Sequence, residues 1–220
     1  MPPKREIDFG DVEDTKQFVD ELSDETRADL GMTGNAIGAG AYGIVYPSAP
    51  GVVVKISKDD WECKLAERME HARFRHIVKV LGHRIVVING RRWCLVYMER
   101  LRDLTPTQKA IAKAIEPRKM VAEIIGGTDL KYVDEGARLR LASPRRLRPV
   151  LASEEAARSV WPEPPSAPAV TNKLIREILR LGIEMREARI EHTDLHVNNL
   201  MRDRRGTIKL IDLESIRVIP

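Results

Sequence analysis

The sequence is poor in cysteine and in aromatic residues, and it has no long apolar run. Only two of its 220 residues are cysteine, and 5% are aromatic. No stretch reaches the roughly 18 apolar residues that a membrane-spanning helix requires, and the first residues, MPPKREIDFG, lack the apolar core of a secretory signal. We therefore expect an intracellular, cytoplasmic protein without membrane contact. Cys63 and Cys94 fit no metal-binding or disulfide spacing, which predicts two reduced thiols.

What the sequence does have is a sizeable apolar fraction and an uneven distribution of charge. The length of 220 residues leaves room for one domain of two lobes. Hydrophobic residues make up 43%, enough to bury a core, and charged residues make up 32%. Residues 1–30 hold ten acids and four bases, whereas residues 101–150 hold eleven bases and six acids. Five arginines lie within residues 138–148. This segment is interpreted either as a solvated loop or as the contact for an acidic partner, with nucleic acid as an open alternative.

Hydrophobic periodicity and turn residues divide the chain into short elements. Residues 34–56 alternate glycine-rich turns with Val/Ile runs, which predicts a hairpin. Asn89-Gly90 separates two β-rich runs, at 77–88 and 92–98, and is a strong hairpin signal. Helical periodicity and a last β-rich run predict helices over about 15–30, 59–74 and 171–189 and a strand over 207–211.

Four segments follow from this pattern: an acidic leader (1–30), a β-rich region (31–104), a basic, proline-rich irregular segment (105–170) and a C-terminal region (171–220). The first part of the irregular segment is expected to be partly helical. Six prolines between residues 144 and 168 predict a loop or tether there.

A glycine-rich loop, Gly38-Ala39-Gly40-Ala41-Tyr42-Gly43, precedes the run Ile44-Val45-Tyr46. Glycines let backbone N–H groups approach phosphates because no Cβ intervenes. A dinucleotide-binding loop runs from a strand into a helix, whereas here a turn and the run Val52–Lys55 follow. Strand, turn and strand are the context of a hairpin that covers phosphates. For this loop alone, an ordinary glycine-rich hairpin is the alternative.

Lys55 ends the valine run that follows the loop. A lysine at the end of a buried strand needs charged partners, and those expected here are nucleotide phosphates and a glutamate of the next helix. Glu67 and Glu70 follow Lys55 by twelve and fifteen residues, whereas Glu62 flanks the apolar stripe of that helix but falls in its first turn. Spacing favours Glu67 as the partner of Lys55, with Glu62 and Glu70 as alternatives.

The segment His192-Thr193-Asp194-Leu195-His196-Val197-Asn198-Asn199 places an acid and an amide five residues apart. An acid that orients an acceptor hydroxyl and an amide that holds Mg²⁺ form a compact catalytic loop. Asp212 lies thirteen residues after Asn199, at the end of a β-rich run, and the two residues supply the hard oxygen ligands that Mg²⁺ prefers. A metal cluster of His192, Asp194 and His196 is the alternative interpretation.

Taken in order, these segments resemble the protein kinase superfamily. The matching segments are GAGAYGIVY, VVVK, HTDLHVNN and the Asp of IDLE. The resemblance implies an α+β, two-lobed protein-kinase-like fold with a β-rich N-lobe and a truncated helical C-lobe. It also implies ATP and Mg²⁺. By position, the resemblance makes Asp194 the catalytic base, Lys55 the contact to the α/β-phosphates, and Asn199 and Asp212 the metal ligands.

The resemblance also assigns residues to the nucleotide. The loop that would cover it comprises Ile37, Gly38, Ala39, Gly40, Ala41, Tyr42, Gly43 and Val45. The segment VYMERL at 96–101 looks like the kinase hinge, with Met98 as gatekeeper. The backbone of Glu99 and Leu101 would then hydrogen-bond adenine.

Several positions depart from the family pattern. Val53 stands where the family usually has an alanine against adenine, and Leu213-Glu214 replaces the usual Phe-Gly. His196 stands where Ser/Thr kinases usually have a lysine, which is more similar to aminoglycoside-type kinases. Only eight residues follow Asp212, so we expect a minimal C-lobe without an activation segment, a reduction similar to that of small atypical and virus-encoded kinases.

The resemblance thus predicts an ATP-dependent phosphotransferase, most simply a Ser/Thr-type protein kinase with a protein substrate. Two alternatives stay open. A small-molecule, aminoglycoside-type kinase is favoured by His196 and by the missing peptide-binding subdomain. A non-catalytic ATP-binding pseudokinase module is favoured by the short C-lobe.

Overall fold

The computed structural model describes residues 10–40, 43–58, 60–115 and 168–218. The fold is α+β, with a mostly antiparallel sheet and a few helices. The chain divides into two compact units. The first contains the residues up to Arg73 and Lys79–Arg100, and the second contains Phe74–Val78 and the residues from Leu101 onward. None of the described helices is long and apolar enough to cross a membrane.

The first unit is built on a five-stranded sheet. Its helices are α1 (Gly10–Asp20), α2 (Asp24–Asp29) and α3 (Asp60–Glu70), and its strands are β1 (Gly38–Gly40), β2 (Gly43–Pro47), β3 (Val52–Ser57), β4 (Val80–Ile88) and β5 (Arg91–Glu99). The strand order is β1-β2-β3-β5-β4, and all neighbours are antiparallel. The expected hairpin at Asn89-Gly90 is confirmed. Both residues have positive φ, 51° and 73°, as a two-residue turn between twisted strands requires.

One face of this sheet carries a hydrophobic core to which α1 contributes Phe18 and Val19, and Leu30, directly after α2, contributes as well. Phe18 of α1 stacks on Trp93 of β5 with ring centroids 3.8 Å apart. The leader was expected to contain one helix, but it contains two. Ser23 interrupts the first and caps the second, because its hydroxyl accepts the Thr26 N–H at 3.2 Å.

A disulfide joins the helix α3 to the sheet. Cys63 and Cys94 are both 1% exposed, their Cα atoms lie 5.7 Å apart, and their sulfurs are bonded. The expectation of two reduced thiols is therefore wrong: α3 packs across β5 and brings together two cysteines 31 residues apart in sequence. Closing a loop of this length stabilises a fold by about 3–4 kcal/mol. Disulfides are typical of oxidising compartments and rare in the cytoplasm, so this bond does not support the expected cytoplasmic location, which stays a prediction.

The second unit packs two helices against short strands. Its elements are β6 (Arg102–Asp103), α4 (Pro106–Ile115), α5 (Pro168–Glu187), β7 (Ile190–His192), β8 (Leu200–Arg202), β9 (Ile208–Leu210) and β10 (Ile216–Val218), with single 3₁₀ turns at Val197–Asn199 and Leu213–Ser215. Strands β6, β8 and β9 form one sheet, and β7 pairs with β10. The apolar stripe of α5 is buried, including Leu174, Ile178, Leu181 and Met185. The loop expected over 144–168 and the basic segment 138–148 lie outside the described residues, except that Pro168 begins α5.

The short stretch Phe74–Val78 belongs to the second unit and explains two differences from the expected boundaries. The backbone N–H groups of Arg75 and His76 donate to the carboxylate of Glu184 on α5, so α3 ends at Glu70 and not at residue 74. The Val78 N–H donates to the Leu210 carbonyl at 2.8 Å, and the Leu210 N–H donates to the His76 carbonyl at 2.7 Å, so β4 starts at Val80 and not at residue 77. The helix expected over 171–189 is found at Pro168–Glu187.

Candidate active site

The glycine loop lies on strand β1 and the start of β2. Gly38 pairs with Val45 and Gly40 with Gly43, and residues 38–40 are exposed together with Ile37, which is 49% exposed. Ala41 and Tyr42 lie outside the described residues. Gly43 is buried, and a Cβ built there would lie 2.5 Å from the Ile56 carbonyl oxygen. The sequence analysis attributed this glycine to the approach of phosphates. In the structure, the sheet itself requires a residue without a Cβ at this position, because the neighbouring strand leaves no space for one.

Lys55 lies on β3 with its ammonium group buried in an ion pair. Its Nζ is 3.0 Å from Oε1 of Glu62, and the two side chains are 10% and 1% exposed. Ser57, two residues along the same strand and therefore on the same face, donates its hydroxyl to Oε2 of Glu62 at 2.8 Å. Glu62 is thus held by a cation and a hydroxyl from one strand.

The preference for Glu67 as the partner of Lys55 is therefore wrong. Glu67 is exposed, whereas Glu62 shares the buried side of α3 with Leu65, Ala66 and Met69. These positions lie three, four and seven residues after Glu62, the spacing of one helix face. The sequence predicted that the buried face of this helix runs through Trp61, Leu65, Met69 and Ala72, but Trp61 is 41% exposed.

The residues expected to form the hinge lie at the end of β5. Met98 is buried and pairs with Val53 on β3. The Glu99 N–H donates to the Lys79 carbonyl at 3.0 Å, and the Glu99 side chain accepts the Lys79 N–H at 2.8 Å. Leu101 is half-buried and belongs to the second unit.

In the second unit the loop after β7 gathers the acidic and amide side chains that the sequence singled out. The Asn199 side chain donates to the Asp194 backbone carbonyl at 2.8 Å and to Oδ2 of Asp212 at 3.4 Å. The Ile211 N–H donates to the Asn199 carbonyl at 2.9 Å. Asn199 therefore ties Asp194 and Asp212 together although they are 18 residues apart in sequence.

Asp212 has an unusual backbone for an aspartate, with φ 65° and ψ 72°. A non-glycine residue with this left-handed backbone conformation costs about 1–3 kcal/mol, so it persists only where contacts with its surroundings offset that cost. Ser215 donates its hydroxyl to Oδ2 of Asp212 at 2.8 Å, and the His192 ring nitrogen Nε2 donates to its backbone carbonyl at 3.1 Å. These contacts fix both the backbone and the carboxylate.

His192 is buried, and burial lowers the pKa of its imidazole even though the neighbouring Asp212 raises it. The ring is therefore neutral at pH 7, with its proton on the nitrogen that faces the Asp212 carbonyl. The alternative interpretation of the sequence placed His192 in a metal cluster with Asp194 and His196, but Nε2 of this histidine donates to a backbone carbonyl. Among the residues that the structure describes, no group of three or more His, Cys, Asp or Glu side chains is placed to hold a metal ion.

Asp194 is exposed, with 63% of its side chain accessible, and His196 lies beside it. Nδ1 of His196 accepts the Asn198 N–H at 3.1 Å. The proton of the neutral ring then lies on Nε2, which is 3.3 Å from Oδ2 of Asp194. His196 therefore presents a donor to the carboxylate that the sequence predicts as catalytic base.

A comparison of the chain with models of protein families finds no match, and a comparison with curated protein sequences finds none either. The resemblance to protein kinases thus rests on the residues named above and on their geometry.

Asn199 and Asp212 fit the role of ligands to a magnesium ion. The Asn199 amide nitrogen makes both hydrogen bonds of that side chain, so its oxygen is directed away from the Asp194 carbonyl. An amide oxygen and a carboxylate are the types of hard ligand that Mg²⁺ takes together with phosphate oxygens, although here it is the amide nitrogen of Asn199 that faces the Asp212 carboxylate.

The sequence analysis missed the roles of three residues that position Glu62 and Asp212. Ser57 and Ser215 orient Glu62 and Asp212, and His192 holds the Asp212 backbone. The spacing of Ser57, two residues after Lys55 on a strand, was a usable signal. The role of His192 depends on a contact 20 residues away in sequence, and no local pattern announces it.

Proposed function

We propose that this chain is an ATP-dependent phosphotransferase, and that it acts as a Ser/Thr-type protein kinase. The observation that carries the proposal is the cluster in which Asn199 contacts both Asp194 and Asp212, at 2.8 Å and 3.4 Å. In this cluster the backbone of Asp194, whose carboxylate would be the base for the acceptor hydroxyl, lies next to the Asn199 amide, and the same amide contacts the Asp212 carboxylate. The buried Lys55–Glu62 pair at 3.0 Å supports it, because a lysine held in this way is suited to phosphate oxygens.

In this proposal each residue has a defined task. Lys55 contacts the α/β-phosphates of ATP while Glu62 and Ser57 fix its direction. Backbone N–H groups of residues 38–40 approach the phosphates, since glycine leaves them uncovered. Asn199 and Asp212 would hold Mg²⁺, which when bound neutralises phosphate charge. Asp194 accepts a hydrogen bond from the acceptor hydroxyl and aligns it for attack on the γ-phosphorus.

His196 sets the direction of the Asp194 carboxylate. Its Nε2 lies 3.3 Å from Oδ2, which leaves Oδ1 as the oxygen that faces an acceptor hydroxyl. Because Asp194 is exposed, a side chain on the surface of another protein reaches it without a deep pocket. This exposure favours a protein acceptor over a small molecule that would need to be enclosed.

The test is transfer of labelled phosphate from Mg-[γ-³²P]ATP to the chain itself and to a generic basic protein. We expect wild-type transfer to fall by about 100-fold or more in Asp194→Asn, the range of general-base catalysis. Asn199→Ala should lose transfer as well. Asn198→Ala is the matched control, because Asn198 is adjacent and exposed, and it should retain activity.

Three outcomes would contradict the proposal. Transfer that persists in Asp194→Asn would remove the assigned base. ATP binding in a thermal-shift assay without any transfer would indicate a non-catalytic nucleotide-binding module. Labelling of an aminoglycoside or another metabolite in place of protein would indicate a small-molecule kinase.

A further inference from the structure

The disulfide of the first unit lies beside the residues that surround Lys55, and the proposed phosphotransfer does not use it. Cys63 directly follows Glu62 on α3, and Cys94 on β5 is the cross-strand partner of Ser57 on β3. Directly opposite residues of an antiparallel pair have their side chains on the same face of the sheet. The disulfide therefore fastens α3 to the sheet one residue from Glu62 and next to Ser57, the two groups that contact each other beside Lys55.

Glu62 and Cys63 both lie in the first turn of α3, which begins at Asp60. The backbone N–H groups of a first turn have no partners within the helix, and helix ends open more easily than helix interiors. Three apolar side chains hold the later turns of α3 against the sheet; they are Leu65, Ala66 and Met69. In the first turn the disulfide adds a covalent link, whereas the contacts of Glu62 itself are non-covalent.

The surroundings of the two sulfurs suit the reduced state as well as the oxidised one. Cys63 and Cys94 are each 1% exposed, and a buried thiol behaves as a small hydrophobic group. Sγ of Cys63 lies 3.7 Å from the backbone carbonyl oxygen of Arg84 on β4. A thiol at this position is a weak donor to that carbonyl, whereas a disulfide sulfur has no hydrogen to donate. Both redox states of the pair are therefore compatible with this part of the fold.

Reduction of the bond requires a dithiol and follows thiol–disulfide exchange. A thiolate of the reductant attacks one cysteine sulfur, the S–S bond breaks, and the other cysteine leaves as a thiolate. The second thiolate of the reductant then releases the first cysteine, and the reductant ends as a disulfide. Two electrons pass to the cysteine pair, and each sulfur takes up one proton. Because both sulfurs are buried, the attack begins when the first turn of α3 opens.

We infer that Cys63 and Cys94 are positioning residues for Lys55, and that their disulfide holds Glu62 against this lysine. In the oxidised chain the first turn of α3 is fixed to β5, and Glu62 stays within 3.0 Å of the ammonium group. In the reduced chain this turn opens more often, so Lys55 loses its carboxylate for part of the time. The consequence for phosphoryl transfer rests on the proposed function, whereas the consequence for Lys55 does not.

The test measures how fast Lys55 is acetylated by N-acetoxysuccinimide in the full chain without ATP, using short pulses and peptide mass spectrometry. An amine reacts as the free base, and a neighbouring carboxylate favours the ammonium form, so Lys55 of the oxidised chain should react slowly. We expect dithiothreitol to raise its rate by about tenfold or more, because removing a disulfide commonly shifts an opening equilibrium by more than this factor. Reoxidation with glutathione disulfide should restore the slow rate. Lys64, exposed on the same helix, should react equally fast in both states.

The variant Glu62→Gln separates positioning from a general loss of stability. Its Lys55 has no carboxylate beside it, so acetylation should already be fast in the oxidised chain and should not increase on reduction. A disulfide that acted only on stability would still change the rate in this variant. The double variant Cys63→Ala, Cys94→Ala should show the fast rate with or without dithiothreitol, and circular dichroism should show that it is folded at the labelling temperature.

Three results would overturn the inference. One is an equal acetylation rate of Lys55 in the oxidised chain and in the cysteine double variant. Another is a redox-dependent rate that persists in Glu62→Gln. The third is alkylation of both cysteines by iodoacetamide in the unfolded but unreduced chain, which would show that the bond is not formed. Transfer from Mg-ATP, measured in the same samples, should fall on reduction; no transfer in either state would contradict the proposed function, and the acetylation rates would still decide the role of the disulfide.

Discussion

At the scale of single residues, the environment of Lys55 depends on one helix position. Glu62 is 1% exposed, and its two carboxylate oxygens are divided between the Lys55 ammonium group and the Ser57 hydroxyl. A buried lysine whose carboxylate is removed keeps its charge only at a large cost in free energy. Glu62 therefore both stabilises the first unit and determines where the lysine points.

The substitution Glu62→Gln tests this role. It preserves size and a hydrogen bond but removes the charge opposite Lys55, and we expect phosphoryl transfer to fall by at least about tenfold, since a hydrogen bond to a charged group contributes roughly 1.5–3 kcal/mol. The melting temperature should fall as well. Glu67→Gln lies on the exposed side of the same helix and should change neither quantity. Equal losses in both variants would contradict the pairing of Lys55 with Glu62.

The sequence predicted that a glutamate of the next helix pairs with Lys55, but it did not identify which glutamate. The sequence correctly indicated a helix with one glutamate opposite Lys55, and Glu62 was among its three alternatives. Spacing from Lys55 favoured Glu67, although Glu67 lies away from the apolar stripe that the sequence indicates. In the structure the buried face of α3 includes Glu62 and leaves Trp61 exposed. This orientation of the helix depends on its packing against β4 and β5 and not on the periodicity of the helix alone.

At the scale of elements, the β2–β3 hairpin requires a glycine at its first position. Gly43 pairs with Ser57, and a Cβ there would lie 2.5 Å from the Ile56 carbonyl oxygen and 3.1 Å from Cε of Lys55. A backbone carbonyl in the middle of a sheet cannot move without disturbing its ladder. Gly40, its partner on β1, has no heavy atom within 4 Å of its own Cβ position.

Gly43→Ala should therefore destabilise the first unit by about 1–3 kcal/mol, the usual cost of overpacking a buried site. Gly40→Ala should change the free energy of unfolding by less than about 0.5 kcal/mol. Urea unfolding followed by tryptophan fluorescence measures both, because Trp93 lies in the core of this unit. If the two alanine variants unfold at the same urea concentration, the steric account of Gly43 is wrong.

Elements with local signals were predictable from sequence, whereas boundaries set by distant contacts were not. The Asn89-Gly90 hairpin was predicted because both residues tolerate positive φ. Helix α5 was predicted from the helical periodicity of its apolar residues. Arg189, with φ 53°, follows the end of this helix, and the sequence has no signal for that end. The start of β4 depends on the backbone hydrogen bond from the Val78 N–H to the Leu210 carbonyl, between residues 132 apart in sequence.

At the scale of the whole molecule, the chain forms two units whose internal ties join residues far apart in sequence. In the first, the disulfide between Cys63 and Cys94 connects α3 to β5. In the second, His76 connects the stretch Phe74–Val78 to α5. Its Nε2 lies 3.3 Å from Glu177, and its Nδ1 lies 3.1 Å from Glu184. Neither tie has a sequence motif, because each depends on how elements pack.

The His76 tie makes the stability of the chain depend on pH. Burial lowers the pKa of His76, but its hydrogen bonds to Glu177 and Glu184 outweigh burial, so the pKa is raised. Burial likewise raises the pKa of both glutamates, but the hydrogen bond to His76, the hydrogen bonds from backbone N–H groups and the nearby positive charges together outweigh it, so both pKa values are lowered. The imidazolium contribution is complete below about pH 6.5 and is lost as the pH rises through the higher folded pKa. The carboxylate contribution is complete above about pH 4.5 and is lost as the pH falls through the lower folded values.

The tie should therefore contribute most between about pH 4.5 and 6.5 and decline on either side. We expect His76→Ala to lower the free energy of unfolding by about 3 kcal/mol in this window, because two buried carboxylates lose their cation, and by less at pH 8. Urea unfolding followed by circular dichroism from pH 4 to 8 measures this profile. His71→Ala is the control, since His71 is exposed, and it should keep the wild-type profile. A loss in His76→Ala that is the same at pH 5.5 and pH 8 would show that the imidazole acts by packing alone and not by its charge.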